Sequence, residues 1–267
     1  VDVLCLDKTG TITTGEMRVE HVEGLAEQPI EYLNPVVGNL LENLPDKNAT
    51  AQALRKHFAP SKELKAVHVL PFSSERKYSA VEFTDATYYL GAWQFLFPHG
   101  NSRLQSKAQK YAEKGYRVLA LAQSKEPIKT NFLPEDLHAQ ALIVISDILR
   151  DDAKQTLAYF KKQGVDCKII SGDDPVTVSA IAKSVSLSDA EKYVDVSQVK
   201  TDEELEYAVE NAQVFGRVSP QQKKRMVQIL KQKGHTVAMT GDGVNDILAF
   251  KEADCSIAMC EGSEAAK

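Results

Sequence analysis

Four aspartates in this 267-residue chain each close a short apolar run: Asp7 after Val3-Leu4-Cys5-Leu6, Asp147 after Leu142-Ile143-Val144-Ile145-Ser146, Asp173 after Ile169-Ile170-Ser171-Gly172, and Asp242 after Val237-Ala238-Met239-Thr240-Gly241. Runs this short read as buried strands. A carboxylate at the C-terminal end of a parallel strand lies where open α/β sheets bind ligands. One such aspartate is an ordinary turn residue. Four along one edge would repel one another unless a cation or partner lay between them, so the set points to a site for Mg²⁺ and phosphate. Mg²⁺ takes oxygen ligands and keeps several waters; Asp7, Asp242 and the Thr9 carbonyl are the expected ligands. Asp7 precedes Lys8-Thr9-Gly10-Thr11, a turn whose backbone N–H groups favour an anion. A carboxylate placed there serves as metal ligand or as nucleophile toward phosphorus.

A nucleophilic carboxylate also needs positive charge facing the incoming phosphoryl oxygens. Lys223 falls in the first turn of an expected helix and is the candidate, whereas its neighbours Lys224 and Arg225 read as a solvated face. Thr11, Ser171 and the Gly172 N–H are candidate phosphate donors. Asn245 and Asp246 follow Asp242, where they would orient it or cap the next helix.

These residues need a scaffold that brings distant strand ends together. From 141 onward apolar strands alternate with helical stretches at 151–162, 175–185, 202–211 and 220–233, the pattern of a doubly wound parallel sheet. Thr201 with Glu204 forms a capping box, and Ser219 before Pro220 starts the last of these helices. Between 16 and 140 the pattern differs. Helical spacing at 33–44 and 50–58 is followed by strands at 67–70, 78–83 and 88–90, a helix at 102–114 capped by Ser102, and a strand at 116–122. The expected fold is therefore α/β. One discontinuous sheet domain (1–15 and 141–267) carries an inserted α+β domain (16–140), with hinges at 14–17 and 140–148.

Composition suits a soluble globular chain, at 43% hydrophobic and 26% charged residues. A net charge of −5 gives no basic footprint for nucleic acid. Cys5, Cys167, Cys255 and Cys260 lack metal-ligand spacing and read as reduced thiols. No apolar stretch is long enough to cross a bilayer. The chain opens inside a buried strand, so it reads as a piece of something longer.

Asp7-Lys8-Thr9-Gly10-Thr11 and Thr240-Gly241-Asp242-Gly243-Val244-Asn245-Asp246 resemble the phosphorylation and hinge signatures of P-type (E1–E2) cation-transporting ATPases, members of the haloacid dehalogenase superfamily. Ser171-Gly172-Asp173 resembles the family's T-G-D element, and the segment from Asp147 to Arg150 resembles the place where the insert rejoins. Gly216-Arg217-Val218-Ser219-Pro220 with Lys223 resembles the stretch leading to the phosphate-binding lysine. The resemblance implies an aspartyl-phosphate on Asp7, formed from ATP with Mg²⁺, in a phosphorylation (P) domain carrying a nucleotide-binding (N) domain. In the insert it implies adenine stacking on Phe72, with Lys77 and Gly91 nearby, and Arg117 reaching the nucleotide phosphates. The family's K-G-A reads Leu90-Gly91-Ala92 here, and the usual acidic residue before the helix at 50 is replaced by Asn48 or Ala51. Weak ATP affinity follows as an expectation.

Three readings result: the cytoplasmic catalytic fragment of a membrane cation pump, a free-standing phosphatase of the same superfamily with the insert as a cap, or a nucleotide-binding module with dead chemistry. Such phosphatases usually carry an acid/base Asp two positions after the nucleophile, where this chain has Thr9. Retention of Asp7, Lys223 and Asp242 opposes the third reading. The pump's transmembrane helices and its actuator domain, with the T-G-E loop, would lie outside this chain, so the fragment alone would not transport. The insert lacks a Ser-Glu-His-Pro-like element, which favours calcium or another light cation over heavy metals, by analogy.

Overall fold

The strands anticipated from the sequence are divided between two sheets of different kinds. The computed structural model describes residues 1–26, 29–60, 64–129 and 132–259; Cys260 lies outside them. In chain order the elements are β1 (Val3–Asp7), β2 (Thr13–Gly24), α1 (Leu33–Asn43), α2 (Ala49–His57), β3 (Ala66–Leu70), β4 (Tyr78–Phe83), β5 (Thr87–Ala92), α3 (Trp93–Leu96), α4 (Ser102–Ala112), β6 (Arg117–Ser124), β7 (His138–Leu149), α5 (Ala153–Lys162), β8 (Asp166–Ile170), α6 (Pro175–Ser184), β9 (Tyr193–Asp195), α7 (Asp202–Asn211), β10 (Val214–Gly216), α8 (Pro220–Gln232), β11 (Val237–Gly241), α9 (Ile247–Phe250) and β12 (Cys255–Ala258).

The first sheet runs β12-β11-β1-β8-β10-β9, and every pair in it is parallel. β1 is central, with Leu4 opposite Ala238 on one side and Cys167 on the other. Successive side chains of a strand point to opposite faces. Val3 and Cys5 therefore enter a core with Met226, Val227 and Leu230 of α8, while Leu4 and Leu6 enter another with Leu157 of α5 and Val178 of α6. Burial on both faces explains why these strands are apolar throughout rather than alternating. A full capping box starts α8: Ser219 Oγ accepts from the Gln222 N–H, and the Gln222 side chain accepts from the Ser219 N–H. At α7 only half of the expected box forms. Thr201 Oγ1 accepts from the Glu204 N–H, but the Glu204 carboxylate accepts from Lys200 instead.

The second sheet runs β2-β7-β6-β5-β4-β3 and is antiparallel from β3 to β7. Leu40, Leu41 and Leu54 of α1 and α2 pack with Val81, Leu121 and Ile143; Leu104 and Ala108 of α4 pack with Ala80, Ala120 and Leu142. Asn101, not Ser102, caps α4, its Oδ1 accepting from the Leu104 N–H.

The chain divides into two compact units, 1–16 with 113–115 and 147–267, and 17–112 with 116–146. The boundary on the return path falls later than the expected 141. Leu142–Ile145 were expected in the parallel sheet, but they pair antiparallel with Arg117–Ala120 of β6, Leu142 opposite Ala120 and Ile143 opposite Leu119. A buried apolar run carries no label for the sheet it joins. Both stretches expected to be hinges lie within strands, β2 and β7. Cys5, Cys167 and Cys255 are free thiols. No described helix is long and apolar enough to cross a membrane.

Candidate active site

β1 ends on Asp7, whose Oδ2 accepts a hydrogen bond from the Thr9 N–H at 3.1 Å. The chain then makes one wide turn over Lys8–Ile12 with Gly10 at φ +70°. Glycine is needed there twice over: L side chains disfavour that φ, and a Cβ would overlap the Asp242 carboxylate. Gly241 is needed for a similar close approach, because a Cβ there would stand 2.3 Å from Asp246 Oδ2. The glycines of both motifs thus let carboxylates from β11 and the following turn close on the end of β1.

Lys223 supplies the countercharge. It lies in the first turn of α8, on the same buried stripe as Met226, Val227 and Leu230. Its Nζ donates to Asp7 Oδ1 at 2.5 Å and to Asp246 Oδ1 at 2.7 Å. All three side chains are buried. Removal from water raises the Asp7 carboxyl from its ordinary 3.8 to about 6, with Asp246 adding to the rise and Lys223 opposing it. Burial also raises Asp242, helped by the neighbouring Asp246 charge. Burial alone would pull the Lys223 ammonium down, but Asp7 and Asp246 outweigh it and hold the group above its ordinary value.

A cavity of about 310 Å³ opens over these groups. The predicted residues Asp7, Thr9, Ser171, Gly172, Asp173, Lys223, Asp242, Asn245 and Asp246 all line it. Asp7, Asp242 and Asp246 each place one oxygen within 4.8 Å of the others, a hard-oxygen donor set that suits Mg²⁺. The role sequence reasoning missed is that of Asp246, expected to orient Asp242 or cap a helix. It is buried against Lys223 and completes the acidic cluster.

Other predicted residues have partners of their own. Asp147 and Asp173 grip Lys8 Nζ at 2.6 and 2.7 Å. Asp147 lies within β7 rather than past a parallel strand end, and it does not line the cavity. Thr11 also misses it. Past Gly10 the chain turns away, and Thr11 lines a separate, mostly apolar cavity with Leu4, Leu6 and Ile257. Arg217 is claimed by two carboxylates, Asp174 and Asp195, each at 2.7 Å, and lies outside the cavity. Lys224 and Arg225 do face outward, Arg225 pairing with Asp202.

In the second unit, Phe72 is 41% exposed in the loop between β3 and β4. Lys77 closes that loop at φ +59°. Gly91 crosses it so closely that a Cβ would come within 2.4 Å of the Lys77 carbonyl oxygen. Arg117 opens β6 and donates to Thr50 Oγ1 at 3.1 Å. Leu90, at the family's lysine position, is buried in the core. Asn48 caps α2 by accepting from the Ala51 N–H.

Residues 1–254 match the model of the haloacid dehalogenase-like hydrolases. The chain belongs to that family. Among curated members it is 48% identical to the "Probable cation-transporting ATPase exp7" of Streptococcus pneumoniae, covering all of this chain and 34% of that protein. It is 36% identical to the "Calcium-transporting ATPase CtpE" of Mycolicibacterium smegmatis, covering 33% of it. The chain thus spans about a third of the length of the relatives it matches. By fold it resembles a zinc-transporting PIB-type ATPase in its E2.Pi state, with a TM-score of 0.66 at 21% identity over the whole chain and 37% of that structure.

Proposed function

We propose that this chain is the catalytic part of an ATP-driven membrane cation pump, and that it transfers the γ-phosphoryl group of ATP to Asp7. The observation that carries this reading is a buried aspartate bonded to Lys223 and facing a cavity with Asp242 and Asp246. In the reaction an Asp7 oxygen forms the new bond to phosphorus, the bond to the bridging oxygen breaks, and ADP leaves with the electron pair. Near neutral pH, above its raised value of about 6, Asp7 is mostly the anion that attack requires. Lys223 offsets charge on the transferring oxygens, and Ser171 and the Gly172 N–H line the same cavity as donors. Asp7, Asp242 and the Thr9 carbonyl are the proposed Mg²⁺ ligands, with Asp246 beside them; the ion, when bound, neutralises phosphate charge.

The unit spanning 17–112 and 116–146 is the proposed nucleotide carrier, with Phe72 for the adenine face, Lys77 and Gly91 at the same corner, and Arg117 for the phosphates. Leu90 in the lysine position supports weak ATP affinity. The transported cation would cross through membrane helices outside this chain, which would sit on the cytoplasmic side and work with a separate actuator domain. The name of the mycobacterial relative favours calcium as that cation. Thr9, in place of the acid/base Asp of the superfamily's phosphatases, supports a slowly hydrolysed acyl phosphate over free phosphatase action.

Incubation with Mg²⁺ and γ-labelled ATP tests the proposal. An acid-stable, hydroxylamine-labile label that is absent in Asp7→Asn is expected. A label that persists in Asp7→Asn, or steady release of phosphate without labelled protein, would overturn it.

A further inference from the structure

Asp7 and Lys8 are adjacent, yet their side chains enter different charge networks. Asp7 meets Lys223, while Lys8 points to Asp147 and Asp173 at 2.6 and 2.7 Å. Lys8 has no solvent exposure, and the Asp147 side chain is only 6% exposed. A buried ammonium in hydrogen-bond contact with two carboxylates fills the position that a divalent ion takes between two acidic ligands. Asp147 Oδ1 is buried with no hydrogen-bond partner among the described residues, so that carboxylate has an acceptor left over. Asp173 also lines the catalytic cavity, so what neutralises it affects how anionic that cavity is. Sites that transfer phosphoryl groups with two metals hold them on just such clustered carboxylates, about 3.5–4 Å apart.

We propose that Lys8 is a resident cation: its ammonium occupies what would otherwise be a second divalent site between Asp147 and Asp173, and so restricts this centre to one metal ion. Lys8 is a positioning residue on this view. It touches neither substrate nor metal, but it fixes the metal count and keeps the Asp173 charge from opposing an incoming polyphosphate. The inference rests on the proposed one-metal site at Asp7 and Asp242.

Manganese is the probe, counted by the loss of its free electron paramagnetic resonance signal in the chain, in Lys8→Met and in Lys8→Arg. Wild type and Lys8→Arg are expected to bind one Mn²⁺, and Lys8→Met two. Adding Asp147→Asn to Lys8→Met should return the count to one. Two ions on wild type, or one on folded Lys8→Met, would overturn the proposal. If Lys8→Met does not fold alone, millimolar Mn²⁺ should restore its far-ultraviolet circular dichroism; failure to do so would also count against the proposal. The reading of the Asp7 site fails differently: wild type would bind no Mn²⁺, or would keep its single ion undiminished when Asp7 and Asp242 are both changed to Asn.

Discussion

The two units present their candidate residues in opposite ways. In the parallel-sheet unit, Asp7, Lys223 and Asp246 lie far apart in sequence, yet they are buried within hydrogen-bond distance of one another. In the antiparallel unit, Phe72 is exposed on a loop and Arg117 bonds a threonine hydroxyl. The first arrangement keeps charges out of water, where each interaction is strong and any loss is costly. The second leaves a surface whose parts contribute separately. Lesions in the first unit should therefore be large and should show in the chemistry. Lesions in the second should be small and should show in affinity.

The largest effect belongs to Asp7→Asn, which removes the proposed nucleophile. Labelling from γ-labelled ATP should fall by more than about 10³-fold, to background. Lys223→Met comes next. A lost countercharge at a preorganised site costs on the order of 10²–10³-fold, and single-turnover labelling should fall by that amount with Lys223→Arg recovering part of it. If Lys223→Met changed only the concentration of ATP needed, the contrast between the units would fail.

Asp7→Asn should also stabilise the metal-free fold. The folded state holds a proton on Asp7 up to about pH 6, whereas the unfolded chain releases it near 3.8. Stability therefore falls as pH rises from about 4 to about 6, by on the order of 3 kcal/mol for a shift of this size, and stays lower above that. Urea unfolding without metal should show Asp7→Asn matching wild type near pH 4 and exceeding it at pH 7.5. Equal curves at both values would mean that the carboxylate is not held in a desolvated site.

Much of the parallel sheet was legible because burial on both faces leaves apolar runs that end abruptly in Gly and Asp. Asp7 and Asp242 could be read from those ends. Lys223 could have been placed more firmly from its spacing to Met226, Val227 and Leu230, an apolar stripe with one lysine in it. The partners of Lys8 could not be read, because Asp147 and Asp173 arrive from different strands and only the fold brings them to one ammonium. The sheet joined by Leu142–Ile145 was equally hidden, since β7 is buried in the second sheet and as apolar as a parallel strand. Arg217 was expected only through the family resemblance, and its partners Asp174 and Asp195 come from outside its own segment, so the pairing could not be read from that stretch.

The smallest effect tests the second unit directly. Phe72 is 41% exposed, so truncating it removes the proposed stacking face without opening a core cavity, and the fold should keep its unfolding midpoint. Losing an aromatic contact of roughly 1.4 kcal/mol weakens ATP about tenfold. Phe72→Ala should raise the ATP dissociation constant by that factor in calorimetry. Acetyl phosphate provides the control, because it carries a phosphoryl group and no base. Its capacity to label Asp7 should be the same in Phe72→Ala as in wild type, since Asp7, Lys223 and Asp246 are untouched. A loss of acetyl phosphate labelling in Phe72→Ala would mean that the two units do not divide binding from chemistry, and that the exposed loop takes part in the transfer step itself.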